Sequence, residues 1–193
     1  MPRKAIDVVL LPNEAMTDRA IEANAELVEK FGAEIVLSKN NCLPHISLAM
    51  GCIDESDIPA VADVLDTIAK TNQLTKLKVI GVRTSGDASV FEVQKTKELQ
   101  SLHETVLNQV GPYLTSDVTP DMVYGGRPVE STLQWIRDYP EKSSFEKFFP
   151  HMTIGYGEMV SIPSPIDFTA SALALCHLGN HCTCRDVLVS IEL

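Results

Sequence analysis

The sequence predicts an α+β fold, and three observations carry that prediction. In its first half, short apolar runs bounded by Pro, Gly and Asn alternate with longer segments whose apolar residues recur at helical spacing. Near the end, two apolar runs follow one another across Gly179-Asn180, with only a turn between them. The 193 residues are 45% hydrophobic and 22% charged, an ordinary composition for one domain that buries its own core. Strands alternating with helices early and a hairpin late define the class.

Each element has a local reason. Ala5 to Leu11 reads as a buried first strand closed by Pro12-Asn13. Glu14 to Phe31 carries Ile21, Ala25, Leu27 and Val28 at amphipathic helical spacing, with Gly32 as a stop. Leu43 to Met50 is a second strand, with Pro44 at its mouth and Gly51 at its exit. Ser56 begins a helix with Val61, Val64, Leu65, Ile68 and Ala69 on one face. Strands follow at Leu74 to Val82 and Ser89 to Val93, joined by the turn residues Ser85-Gly86-Asp87. Thr96 to Val110 is a third helix, ended by Gly111-Pro112. Between Thr115 and Phe149 the texture is broken by Pro120, Gly125-Gly126, Pro128 and Pro140. Ser131 and Ser143 there read as caps of one- or two-turn helices in a long connection that folds over the site. Strands resume at Pro150 to Gly155, Phe168 to Leu178 and Thr183 to Leu193.

Bulk properties narrow the function. No apolar run approaches the roughly 18 residues that span a bilayer. Val8-Val9-Leu10-Leu11 is too short for a signal-peptide core, so a cytoplasmic location without membrane association is expected. The net charge is −10. Gripping long RNA by its backbone takes a basic face, so stable binding to long nucleic acid is not expected, and a short substrate suits the chain better. Five cysteines, an odd number, offer no disulfide framework and are expected to be reduced.

The chemistry sits in two segments that match each other. Pro44-His45-Ile46-Ser47-Leu48 and Pro150-His151-Met152-Thr153-Ile154 share the pattern Pro, His, apolar, hydroxyl, apolar, and a glycine follows in each case. The strand period is two, so His45 and Ser47 share one face while Ile46 and Leu48 share the other. The same holds for His151 and Thr153 against Met152 and Ile154. One His-x-Ser in a strand carries little weight, but two copies with matching flanks carry much more. Two imidazoles and two hydroxyls brought together suit phosphoryl transfer. One neutral histidine takes a proton, a charged one gives a proton, and the hydroxyls donate to non-bridging oxygens. Neither a metal nor a cofactor is required.

The repeated His-x-Ser/Thr-apolar pair resembles the signature of the two-histidine (2H) phosphoesterase superfamily, which includes 2′-5′ RNA ligase-like proteins and cyclic nucleotide phosphodiesterases. The similarity in element order and motif position covers most of residues 5–193, read as one domain over residues 1–193. It implies a bilobal fold with pseudo-twofold symmetry: two antiparallel sheets flank a central cleft and the helices lie outside. By the same resemblance, His45 and Ser47 come from one lobe and His151 and Thr153 from the other. The first hydroxyl is Ser where Thr is more usual. The implied activity is metal-independent hydrolysis of a cyclic phosphodiester: a 2′,3′-cyclic nucleotide or RNA end, or ADP-ribose 1″,2″-cyclic phosphate. His151 is then the base and His45 the acid, or the two roles are reversed, in a monomer acting on a small substrate. The same four residues could serve 2′-5′ RNA ligation, and a binding module without turnover is the remaining alternative.

Weaker signals surround these. Cys176-His177-Leu178-Gly179-Asn180-His181-Cys182-Thr183-Cys184 is rich in soft ligands, but its spacing fits no common zinc motif. A hairpin there should split them between the faces of a sheet, leaving packed thiols and a surface histidine. Tyr124, Trp135 and Tyr156 are aromatic candidates for stacking on a base, and Tyr156 is best placed because it follows the second motif. Arg83, Arg127 and Arg185 could add a phosphate clamp, though each also suits the surface. Gly125-Gly126-Arg127 lacks the Lys-Ser/Thr of a phosphate-binding loop, and His103 reads as an ordinary helix residue.

Overall fold

A computed structural model describes residues 2–72, 76–159 and 165–193. Eight strands and four helices follow in the order β1 (Arg3–Pro12), α1 (Glu14–Phe31), β2 (Ile46–Asp54), α2 (Ile58–Thr71), β3 (Leu77–Ser85), β4 (Ala88–Val93), α3 (Lys97–Val110), α4 (Glu130–Lys142), β5 (His151–Tyr156), β6 (Ile166–Phe168), β7 (Ala170–Leu178) and β8 (Cys184–Glu192). They form two four-stranded antiparallel sheets, ordered β2-β1-β7-β8 and β5-β4-β3-β6. The α+β class is as the sequence predicts, and the two antiparallel sheets are as the family resemblance implies. Of the predicted strand at Leu74 to Val82, the first two residues, Leu74 and Thr75, lie outside the described residues.

The two strands carrying the repeated motif, β2 and β5, are each an edge strand of their sheet, and the two edges meet. One apolar core runs beneath both. Ile46 and Leu48 from β2, Met152 and Ile154 from β5, Phe91 from β4 and residues of α1, α2 and α3 all belong to it. The two sheets also repeat each other in register. Ser47 pairs with Val9 and Met50 with Asp7, around a bulge between Val8 and Val9. Thr153 pairs with Val90 and Tyr156 with Ala88, around a bulge between Ser89 and Val90. A bulge inserts one extra residue and flips the alternation beyond it. Met50 and Tyr156, each three residues past a motif hydroxyl, therefore return to that hydroxyl's side of the sheet.

Local signals explain most boundaries. Asn13 caps α1 by accepting from Met16 N–H, and Thr96 caps α3 by accepting from Leu99 N–H. Two expectations need correcting. Gly51 lies inside β2 instead of ending it, because β1 continues to pair with that strand out to Asp54. Its missing side chain admits the Thr115 backbone: a Cβ there would stand 3.1 Å from the Thr115 carbonyl oxygen. Thr115 and Cys52 exchange both backbone hydrogen bonds beside it, at 2.7 and 2.9 Å. The connection from Thr115 to Phe149 contains one 13-residue helix, α4, where Ser131 and Ser143 suggested shorter pieces. Thr132, Leu133, Ile136 and Tyr139 give α4 a continuous buried face, and Pro140 sits so late that the helix loses only one backbone bond to it. This face packs with Val118 and Val123 onto Ala5, Met50, Cys52 and Leu178, so the segment is a wall built on the first sheet.

Candidate functional site

In each motif a proline precedes the histidine and turns the chain into the strand, and the imidazole folds back on the carbonyl two residues earlier. His45 Nδ1 lies 2.8 Å from the Leu43 carbonyl oxygen, and His151 Nδ1 lies 2.7 Å from that of Phe149. A carbonyl only accepts, so each Nδ1 carries the proton and donates it. Both Nε2 atoms are left as lone pairs in the neutral rings. Burial holds both imidazoles below the usual histidine range, opposed in each by that carbonyl contact; a proton on His151 lowers His45 further. The two rings are thus within electrostatic reach of each other. Phe149 also stacks on His151, with centroids 5.2 Å apart, and Arg83 lies 4.9 Å from the Phe149 centroid on its face.

The alternation read from the sequence is present. His45, Ser47, His151 and Thr153 are half-buried, whereas Ile46, Leu48, Met152 and Ile154 are sealed in the core. The two hydroxyls have different surroundings. Among the described residues, none is hydrogen-bonded to the Thr153 hydroxyl. Ser47 Oγ instead shares a 2.5 Å hydrogen bond with Oδ2 of Asp7, a fully buried residue of β1. The same Oδ2 is 3.8 Å from His45 Nε2. The sequence reading missed Asp7, although it is the one charged side chain in the apolar run from Ala5 to Leu11.

Tyr156 does more than offer a ring face. Its hydroxyl is 2.9 Å from Nδ1 of His181, and the two rings meet edge to face at 5.1 Å. His181 belongs to the β7–β8 turn of the first sheet, so this contact ties the two sheets together beside the motifs. His181 is accordingly not a surface residue: 13% of its side chain is exposed, and Nε2 is 3.9 Å from Glu34. His103 is not ordinary either. Its Nδ1 donates to the Leu48 carbonyl oxygen at 2.8 Å, its Nε2 accepts from Phe145 N–H at 2.9 Å, and its ring stacks on Phe148 at 3.9 Å. Leu48 is in the first motif strand and Phe148 immediately precedes the second motif's Phe149-Pro150-His151. His103 braces one against the other, and burial pushes its imidazole down to about 4.

The cysteine expectation is overturned at one pair. Cys176 and Cys184 are joined by a disulfide; Cys42, Cys52 and Cys182 are free. A register shift between His177 and Leu178 pairs Cys184 with Leu178 and so sets it on the same face as Cys176, with Cα atoms 5.6 Å apart. Simple alternation across a tight turn does not anticipate this. The pair underlies the first motif, since Leu43 N–H donates to the Cys184 carbonyl at 3.0 Å and Leu43 in turn receives His45. His177 is buried and bonded to the Met122 carbonyl at 2.9 Å.

Arg127 and Trp135 are exposed. Tyr124 lies under Arg185 at 6.0 Å, and both line a cavity of about 250 Å³ with Glu34, Cys42 and Asn180. No described helix is long and apolar enough to cross a membrane.

The family model of the 2′-5′ RNA ligase superfamily matches residues 26–175. Among solved structures, the chain is similar to TT0787 of Thermus thermophilus, at 12% identity and a TM-score of 0.63, covering 98% of this chain and 97% of that one. It is also similar to E. coli LigT in its apo form, at 14% identity and a TM-score of 0.54, over 100% of this chain and 99% of that one. E. coli LigT complexed with 3′-AMP gives the same identity and coverage with a TM-score of 0.50. At such identities the likeness is one of fold. No curated protein matches the chain.

Proposed function

Because the chain belongs to the 2′-5′ RNA ligase superfamily, we propose that it hydrolyses a cyclic phosphodiester on a small nucleotide or an RNA end, using His45 and His151 as an acid-base pair. The observation that carries this reading is the identical bracing of the two imidazoles. Each donates Nδ1–H to a backbone carbonyl and keeps Nε2 for proton transfer. His151 is the base: its Nε2 takes a proton from water as the water oxygen bonds to phosphorus. The bond from phosphorus to one ribose oxygen breaks, and that oxygen leaves with the electron pair and takes the proton from His45 Nε2. Thr153 and Ser47 hydroxyls donate to the non-bridging oxygens, where charge grows.

The net charge of −10 favours a small substrate over long RNA. The E. coli LigT complex holds 3′-AMP, and a 3′-nucleotide is what opening a 2′,3′-cyclic phosphate leaves when the 2′ oxygen departs. We extend that ligand class to this chain. Ligation through a 2′-5′ bond uses the same groups on the same cyclic phosphate, with a ribose 5′-hydroxyl in place of water as the nucleophile, and the family's description keeps it as the second reading.

The test is a panel of 2′,3′-cyclic nucleotides, ADP-ribose 1″,2″-cyclic phosphate, RNA oligomers with cyclic ends and paired RNA halves, assayed with a chelator present. Turnover to a monoester is expected, and His45→Ala and His151→Ala should each lower kcat/KM by roughly 10²- to 10⁴-fold. Full turnover in both variants would sink the acid-base assignment, and a longer RNA product would favour ligation.

A further inference from the structure

Asp7 is a poor place for a negative charge. It is fully buried on β1, and among the described residues Oδ1 has no hydrogen-bond partner. No Lys or Arg among the described residues reaches it; its one charged-group neighbour is His45, at 3.8 Å. The other groups facing it are acids or inert. Tyr139 of α4 and Cys182 of the β7–β8 turn are both pushed upward, first by burial and then by the field of Asp7 in Cys182 and of Asp7 and Cys182 in Tyr139. Cys176, its register partner on β7, is in the disulfide. An ionised carboxylate here would leave one anionic oxygen bare in the core and set a second anion beside the phosphate subsite.

The second sheet has no equivalent. The register that makes Thr153 the counterpart of Ser47 makes Ala88 the counterpart of Asp7. The carboxyl group therefore serves something particular to Ser47, whose oxygen it touches at 2.5 Å.

We infer that Asp7 is a buried carboxylic acid that works through Ser47: its Oδ2–H donates to Ser47 Oγ and so directs the serine's own hydrogen into the cleft, towards a non-bridging oxygen of the substrate. A serine hydroxyl has one hydrogen. Were Asp7 a carboxylate, that hydrogen would be held by Oδ2, and Ser47 could offer the phosphate only lone pairs. With the proton on Asp7, Oδ1 is the neutral carbonyl oxygen, the form whose missing partner costs least. Burial raises the carboxyl well above its usual range, against the lowering effect of Ser47, which agrees with this geometry. Asp7 is thus a positioning residue, and its role rests on the cyclic-phosphate reading above.

Two measurements test it. In the ¹³C NMR spectrum of the folded chain, the Asp7 carboxyl carbon should keep the chemical shift of the protonated acid throughout the pH range of activity. In kinetics on a 2′,3′-cyclic nucleotide, Asp7→Ala should lower kcat/KM about tenfold, mainly through kcat, since the lost contact is to non-bridging oxygens whose charge grows in the transition state. Asp7→Asn should recover most of that loss, because its amide N–H donates to Ser47 Oγ as the acid did. Adding Asp7→Ala to Ser47→Ala should cost nothing more. A carboxyl carbon with the shift of the ionised form, or an Asn variant as impaired as the Ala variant, overturns the inference and makes Asp7 a counter-ion of His45. If the wild-type chain turns over no cyclic substrate, the functional reading fails, and the NMR measurement alone decides the state of Asp7.

Discussion

Acidification should loosen the brace between the two motif strands through one residue, His103. In the folded chain its Nε2 must be unprotonated to accept from Phe145 N–H, while Nδ1–H donates to the Leu48 carbonyl. Burial depresses its pKa from 6.5 to about 4, so the unfolded chain binds this proton more readily than the folded one. The stabilisation is therefore complete above pH 6.5 and is lost as pH falls from there towards 4. At 1.36 kcal/mol per pKa unit the group costs the fold about 3 kcal/mol by pH 4. For a chain of this length that corresponds to a fall in Tm of about 6–12 °C. Other groups titrate in the same window, so the measurement is a difference. Urea unfolding should be followed from pH 7.5 to 4 in the wild type and in His103→Gln, whose amide can donate to Leu48 and accept from Phe145 but cannot protonate. The variant should lack the His103 part of the slope. Equal slopes in the two proteins would refute the reasoning.

Three further outcomes are expected. Both motif histidines lie below the usual histidine range, so kcat/KM for a cyclic nucleotide should be bell-shaped with its maximum below pH 6.5, where one imidazole is charged and one neutral; an optimum well above that in a pH–rate profile would contradict the burial argument. Asn24→Ala should destabilise the fold by about 2–4 kcal/mol in urea unfolding. This buried amide donates to the Ile35 and Ile154 carbonyls, both at 2.9 Å, and accepts from Leu37 N–H at 2.8 Å, which fastens α1 to the second motif strand. A thiol reagent in denaturant should count three free cysteines before reduction and five after it. Reduction should cost up to about 2.5 kcal/mol, the chain entropy released by opening a loop this short.

The motif strands were legible because their information is local. Alternation of period two separates His45 and Ser47 from Ile46 and Leu48 in any strand, whatever it pairs with. Helix limits such as Glu14 to Phe31 were legible for a similar reason, since Asn13 and Gly32 act on the turn beside them. The 13-residue α4 was obscured by Ser131, Ser143 and Pro140, local breakers overruled by the apolar face that the first sheet receives.

By itself, then, the sequence determined the class, the two motifs and which side chains share a face, all properties of residues a few positions apart. Tertiary structure decided what each site residue touches. It set Asp7 against Ser47 across 40 positions and brought His181 to Tyr156. It joined Cys176 to Cys184 across a register shift and made His103 a brace between motifs. Those contacts depend on strand register, bulges and the burial of groups far apart in the chain, and no local periodicity encodes them.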